Sequence, residues 1–275
     1  NFASGGAAIN VLARLGGAEL RVIDVGAALE GDAGASAKES DARRGTRDLS
    51  LGPAMTRDEA EAALAVGARC AGEGMDRGAR LLIAGDMGIG NTTAAACLIC
   101  ALTGATAAEV VGRGTGIDDA ALVRKRRIVD AAVTRSKRGE RTDPRTVLAT
   151  LGGFELAAMA GFYLEGVRRR APMLLDGFVA SAAALVAQAI DDRLREWLLA
   201  THVSAEQGAS LALRALGLAP LFDLRLRLGE GTGATLALPI IRAALALHRE
   251  MATFDEAGVS DPSAPTVRAA RAARA

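Results

Sequence analysis

Short apolar runs that stop abruptly at a polar residue recur along this chain. Leucine, valine and isoleucine gather at 20–26, 80–86 and 172–177, and each run closes on an aspartate (Asp24, Asp86, Asp176) with a glycine close by. A fourth run, 197–202, has a similar outline and ends at His202. Between them, apolar positions recur at helical spacing over 57–77, 92–102, 122–134, 153–168, 178–189 and 205–216, with a last apolar helix over 234–247. Strands alternating with helices of this length predict an α/β fold, a doubly wound parallel sheet with helices on both faces. In such sheets ligands sit outside the carboxyl ends of the strands, which would gather Asp24, Asp86, Asp176 and His202 on one rim. The polar, glycine-rich 27–52 reads as a long loop and 137–145 as a charged one, while the arginine-dotted 262–275 reads as a disordered tail.

Composition narrows the function classes. The 275 residues suit one large domain, with or without a small appendage. Half of them are hydrophobic but only 3% aromatic, so the core is built from Ala, Leu, Val and Ile. A net charge of +1 argues against a polyanion surface, hence against nucleic acid as a partner. The longest uncharged apolar run, 178–190, is too short for a bilayer, which needs about 20 residues, so no membrane association is expected. Cys70, Cys97 and Cys100 form no disulfide framework, and the Cys97-x-x-Cys100 pair sits in an apolar helix as buried small hydrophobes. A reducing, cytoplasmic setting fits.

Most of the chemical information lies in three glycine-rich loops. Gly85-Asp86-Met87-Gly88-Ile89-Gly90-Asn91-Thr92 follows a strand and opens a helix; Gly112-Arg113-Gly114 follows an apolar run; Gly229-Glu230-Gly231-Thr232-Gly233 precedes the last apolar helix. Glycines let backbone N–H groups close on an anion, and a helix N-terminus adds its dipole. Together they favour a phosphate-bearing ligand. The first loop nearly matches two phosphate motifs and departs from both. Asn91 stands where a P-loop needs lysine, and Thr93 where a dinucleotide fingerprint needs its third glycine. An Asn-Thr-Thr helix start suits a single phosphate held by hydroxyls and amides.

With only His202 and His248 in the chain, no metal-ligand spacing exists, and no G-x-S-x-G elbow supports a serine hydrolase. Carboxylates remain as acid or base. Glu230 is the strongest candidate, because its glycine neighbours and the apolar stretch behind it can strip it of water; the alternative is a glutamate that merely caps a helix start. His248 reads as a surface or interface residue.

Eight strings carry a family resemblance, in order: GGAAINVLAR (5–14), GDMGIGNTTAAA (85–96), GRGTGIDD (112–119), LGGFELAAMAG (151–161), PMLLDGF (172–178), THVSAEQG (201–208), RLGEGTGA (227–234) and EMATFDEAGV (250–259). Together they resemble the nicotinate-nucleotide–dimethylbenzimidazole phosphoribosyltransferases of cobalamin lower-ligand assembly. The resemblance implies a Rossmann-like sheet with a small helical appendage, a homodimer, no cofactor or metal, and displacement of nicotinate from the ribose of nicotinate mononucleotide by a benzimidazole-type base. The family's catalytic carboxylate maps onto Glu230. Its loop residues map onto Gly88, Gly90, Asn91 and Thr92, with Lys125 as the cation near the phosphate; Gly112, Gly114, Gly231 and Gly233 belong to the matching loops. Asp176, His202, Ser204 and Glu206 map near the same site.

Departures from the family keep alternatives open. The family usually has glutamate where this chain has Asp86, a carboxylate shorter by one methylene. It also carries a segment ahead of the position of Asn1, supplying an early strand and part of the base pocket, so 1–261 would be an N-terminally incomplete phosphoribosyltransferase domain. A degenerate nucleotide-binding relative, or a nicotinamide-dependent oxidoreductase, remains as the rival reading. Adjacent acids that serve magnesium pyrophosphate donors are missing, since Gly177 follows Asp176.

Overall fold

The computed structural model describes residues 1–27, 37–38, 44–136 and 143–259; the expected tail at 262–275, and much of the loops at 27–52 and 137–145, lie outside them. The chain divides into two compact units, Asn1–Ala237 and Leu238–Ala275. The elements of the first run α1 (Ala8–Gly16), β1 (Ile23–Asp24), β2 (Ala37–Lys38), α2 (Arg57–Asp76), β3 (Leu82–Ala84), α3 (Asn91–Thr103), α4 (Ala107–Val110), α5 (Asp119–Ser136), α6 (Pro144–Leu151), α7 (Phe154–Arg168), β4 (Met173–Leu175), α8 (Phe178–Ile190), β5 (Leu198–Ala200), α9 (Ala209–Leu216) and α10 (Thr232–Leu236). The second unit holds α11 (Leu238–Glu250).

The α/β expectation holds. β3, β4 and β5 form a parallel sheet in that order, with Ala84, Leu175 and Ala200 in register at its carboxyl edge. Because the register is flush, the next residues of each strand emerge together. β1 and β2 pair in a separate parallel sheet. Asp24 therefore lies off the rim where the rule had put it, and its Oδ1 accepts the N–H groups of Gly26 and Ala27 at 2.9 and 2.8 Å, closing its own turn.

Burial explains the helices. α8 carries no charged residue, and Phe178 through Ala187 are all buried; a helix apolar on every side belongs in the interior, where it packs against α3, α7 and α9. α2 and α7 approach until backbones touch. A Cβ on Gly67 would stand 1.6 Å from the Ala158 carbonyl oxygen, and one on Gly161 1.9 Å from that of Leu64. Thr56 and Glu59 form a reciprocal cap at the start of α2.

The expected single helix at 234–247 is two, α10 ending at Leu236 and α11 starting at Leu238. Pro239 has no N–H to give and its ring would meet the carbonyl four residues back, so a continuous helix cannot run through it. The helix expected from 205 starts instead at Ala209, leaving Ala205–Gln207 in a turn. No helix among the described residues is long and apolar enough to cross a membrane.

Candidate active site

The carboxyl edge of the sheet is built around a backbone crossing. At the end of β3, a Cβ on Gly85 would lie 2.2 Å from the nitrogen of Gly231 and 2.4 Å from the carbonyl carbon of Glu230, so only glycine lets the 229–231 loop pass over the strand. The loop is fixed there by the Glu230 N–H, which donates to the Asp86 carbonyl at 3.0 Å. Gly229, Glu230 and Gly231 have φ of 81°, 64° and 82°. A non-glycine in the left-handed region costs about 1–2 kcal/mol. The Glu230 side chain is half-buried, and its Oε2 accepts the Ile9 N–H at the first turn of α1, 3.2 Å away.

Asp176 anchors the loop from below. Buried at the end of β4, it accepts the Gly231 N–H at 3.1 Å on Oδ2 and the Ala234 N–H at 3.0 Å on Oδ1. This carboxylate, not Glu230, caps α10. Burial raises the Asp176 pKa, while those N–H groups and His202 oppose the rise. His202 is buried as well, with Nδ1 3.1 Å from Thr201 Oγ1 and its ring stacked on Phe222 at 6.2 Å. Burial lowers its pKa, with Asp176 and Asp223 opposing. A Cβ on Gly233 would fall 2.1 Å from His202 Cε1, so the imidazole packs flat against α10 through that glycine. Asp176 and His202 thus hold the Glu230 turn from within the protein, and Ser204, also buried, stands beside Gly177.

A second group sits around the first turn of α3, whose cap residue Gly90 has φ 90°. Asn91 donates its side-chain amide to Asp86 Oδ2. Burial pushes the Asp86 carboxyl up to about 7 against the pull of Asn91, helped by the charges of Glu155 and Asp176. Gly88 lies next to the Asn91 amide, 4.0 Å from where its own Cβ would be. One residue on, Thr92 Oγ1 accepts from Lys125 Nζ at 2.8 Å, and Lys125 donates also to the Gly112 carbonyl at 3.3 Å. Gly114 abuts both, with a Cβ position 3.2 Å from Thr92 Oγ1. Lys125 is half-buried, which lowers its pKa, and the charge of Glu206 opposes this. Asp24 aside, the candidate site residues therefore fall into two neighbouring corners, a carboxylate corner (Asp86, Asp176, His202, Ser204, Glu230, Gly231, Gly233) and a cationic corner (Thr92, Gly112, Gly114, Lys125, with Glu206 beside it), joined by the α3 N-terminus with Gly88, Gly90 and Asn91.

Sequence reasoning passed over Glu155 and Tyr163. Glu155, in the first turn of α7, folds back over Gly153 (2.6 Å from its Cβ position), and burial raises its pKa. Tyr163 is fully buried, its hydroxyl has no hydrogen-bond partner among the described residues, and the charges of Asp176 and Asp86 reinforce the burial that raises its pKa. The Glu after Gly152-Gly153 was a usable signal; nothing local marked Tyr163. Cys97 is inert where it lies, its buried thiol pushed up to about 12. His248 is exposed on α11. A separate hollow of 320 Å³ between α2 and α7 is lined by Asp76, Glu165 and Arg169, which already pair with one another at 2.8–3.0 Å.

A family model described as a phosphoribosyltransferase, DBI_PRT, matches residues 1–259. The chain belongs to this phosphoribosyltransferase family. It is 56% identical over 265 residues to the nicotinate-nucleotide–dimethylbenzimidazole phosphoribosyltransferase of Chromobacterium violaceum, covering 96% of this chain and 76% of that protein. The enzyme of the same name from Mycobacterium avium is 52% identical, covering 96% and 75%. The crystal structure of CobT from Thermus thermophilus superposes with a TM-score of 0.88 at 49% identity, covering 94% of this chain and 77% of that one. The chain thus spans about three quarters of the length of these phosphoribosyltransferases.

Proposed function

We propose that this phosphoribosyltransferase transfers ribose 5-phosphate from nicotinate mononucleotide to 5,6-dimethylbenzimidazole or a related base, giving an α-ribazole phosphate and nicotinate; its relatives are named nicotinate-nucleotide–dimethylbenzimidazole phosphoribosyltransferases. The observation that carries the reading is Glu230. A carboxylate is held in a left-handed turn, against the backbone's own preference, by a glycine crossing and a buried aspartate beneath it. Backbone strain persists where the surroundings over-determine it, and such positions cluster at functional sites.

In this reading the cationic corner takes the phosphate. Lys125, the Gly112–Gly114 loop and the N-terminus of α3 supply charge and donors for an oxyanion. The mononucleotide's ribose then spans from that corner towards Glu230. One ring nitrogen of the base attacks C1′ with its lone pair as the bond to nicotinate breaks with its electrons, inverting the anomeric carbon. Glu230 takes the proton from the other ring nitrogen as positive charge develops there. Met87 and Ile89, both exposed on the loop between β3 and α3, offer an apolar face to the aromatic base. The reading needs no metal, because the leaving group is a pyridine carboxylate rather than pyrophosphate. It includes a homodimer, to be checked by sedimentation, and a cytoplasmic setting that suits three cysteines outside any disulfide. Incubation with nicotinate mononucleotide and 5,6-dimethylbenzimidazole is expected to release nicotinate and form the ribazole phosphate in equal amounts. Nicotinate release that ignores the base, or no release at all, would sink the proposal.

A further inference from the structure

The cationic corner already contains an anion of its own. Gly114 N–H donates to Glu206 Oε2 at 3.4 Å, and a Cβ on Gly112 would be 2.3 Å from that same oxygen, so the carboxylate lies directly on the glycine loop. Its charge acts on Lys125, whose hydrogen bonds otherwise go to neutral oxygens, Thr92 Oγ1 and the Gly112 carbonyl. The Glu206 N–H in turn points to Ser204 Oγ at 3.4 Å. The grip is weak: both bonds are long, and Glu206 is only half-buried. A half-buried ammonium and a loop N–H are therefore matched to a negative oxygen that can leave.

We propose that Glu206 is a specificity-determining residue: its carboxylate occupies the anion position of the glycine loop in the free protein, and the phosphate of the mononucleotide must displace it. This inference rests on the phosphoribosyltransferase reading above, and it adds a selection rule. A phosphate dianion, with more charge and three acceptor oxygens, outcompetes a carboxylate for Lys125 and Gly114; a substrate with no phosphate gains nothing there. Glu206 also gives the half-buried Lys125 a nearby counter-charge when the site is empty.

The test is calorimetric titration of the full chain with nicotinate mononucleotide, inorganic phosphate and the phosphate-free nucleoside. Glu206→Gln is expected to bind both phosphate ligands roughly fivefold or more tightly than the wild type, since a like charge is removed from the site, with nucleoside affinity unchanged. Equal or weaker phosphate binding overturns the proposal, and weaker binding would make Glu206 a loop scaffold. Tightening of all three ligands alike also overturns it. If circular dichroism shows that Glu206→Gln does not fold, Glu206→Asp, whose shorter arm withdraws the carboxylate from Gly114, is expected to shift phosphate affinity in the same direction. Phosphate binding by the wild type with no gain in the variant defeats the role of Glu206 alone. Absence of phosphate binding in both defeats the phosphoribosyl reading as well.

Discussion

Glu230 is the residue whose backbone and side chain make opposite demands. Glycine would suit its φ of 64° better, yet the chain places a carboxylate there and supports it with Asp176 and the Gly85 crossing. Glu230→Gln keeps size and the bond to the Ile9 N–H but loses the proton acceptor. Turnover is expected to fall by about 10²–10⁴ with the KM for the mononucleotide nearly unchanged, because a general base acts in the transition state; steady-state kinetics on the folded variant decides it. Asp86 makes a prediction about pH. Its folded pKa of about 7 lies above the usual 3.8, so from about pH 4 to 7 the folded chain keeps a proton that the unfolded chain has released. Stability is therefore lost as pH rises through that window and changes no further above it. The upper limit is about 4 kcal/mol, and solvent at the open side of Asp86 reduces it to roughly 1–2 kcal/mol. Asp86→Asn cannot ionise, so its stability relative to wild type is expected to rise between about pH 4 and 7 and then level off. A difference that stays flat across denaturant titrations from about pH 4 to 8 would show that burial does not hold the proton there.

At the scale of elements, the helix pair α2 and α7 sets how closely one layer packs. Gly161→Ala would add helix propensity worth about 1 kcal/mol, but its Cβ would sit 1.9 Å from the Leu64 carbonyl oxygen. Overpacking against backbone wins, and a net loss on the order of 3 kcal/mol is expected, read as a lower urea midpoint with unchanged slope. The same close packing explains what the sequence could and could not reveal. Runs that ended at Asp86, Asp176 and His202 announced strand ends, because a buried parallel strand is apolar throughout and turns polar where it leaves the sheet. Helix α6 begins inside the charged loop expected at 137–145, where Asp143 and Pro144 form a proper helix start, with the Asp143 side chain accepting the Thr146 N–H. The late start of α9 had no such local signal: its cap residue Gly208 lies against Val110, distant in sequence, where a Cβ would come within 2.8 Å of Val110 Cγ1. Glu230 was legible because its glycines are its sequence neighbours. The influence of Glu155 on Asp86, and of Asp86 and Asp176 on Tyr163, was not, because it exists only once α7 packs beside β3 and β4.

Across the first unit as a whole, the site is an assembly of distant segments. Asn91 and Thr92 follow β3, Lys125 comes from α5, Asp176 follows β4, Ser204 and Glu206 follow β5, and Glu230 precedes α10, while Ile9 reaches the same carboxylate from α1. These segments are far apart in an unfolded chain, so the mononucleotide has a partner only in the folded one. Its binding must then stabilise folding by RT ln(1 + [L]/Kd), about 2.7 kcal/mol at a hundredfold excess over Kd. Nicotinate mononucleotide is therefore expected to raise the Tm steadily with concentration, without saturating at the occupancy limit, as linkage requires. Lys125→Ala should keep the unliganded Tm close to wild type, since its Nζ donates to two neutral oxygens, Thr92 Oγ1 and the Gly112 carbonyl, and is costly to bury charged. What it loses is the ligand response: the same concentrations should give a smaller shift, matched by a raised KM, because a cation paired with phosphate acts in ground and transition states alike. A Lys125→Ala protein with a full ligand-induced shift would move the phosphate out of the cationic corner and leave Glu230 without a substrate spanning towards it.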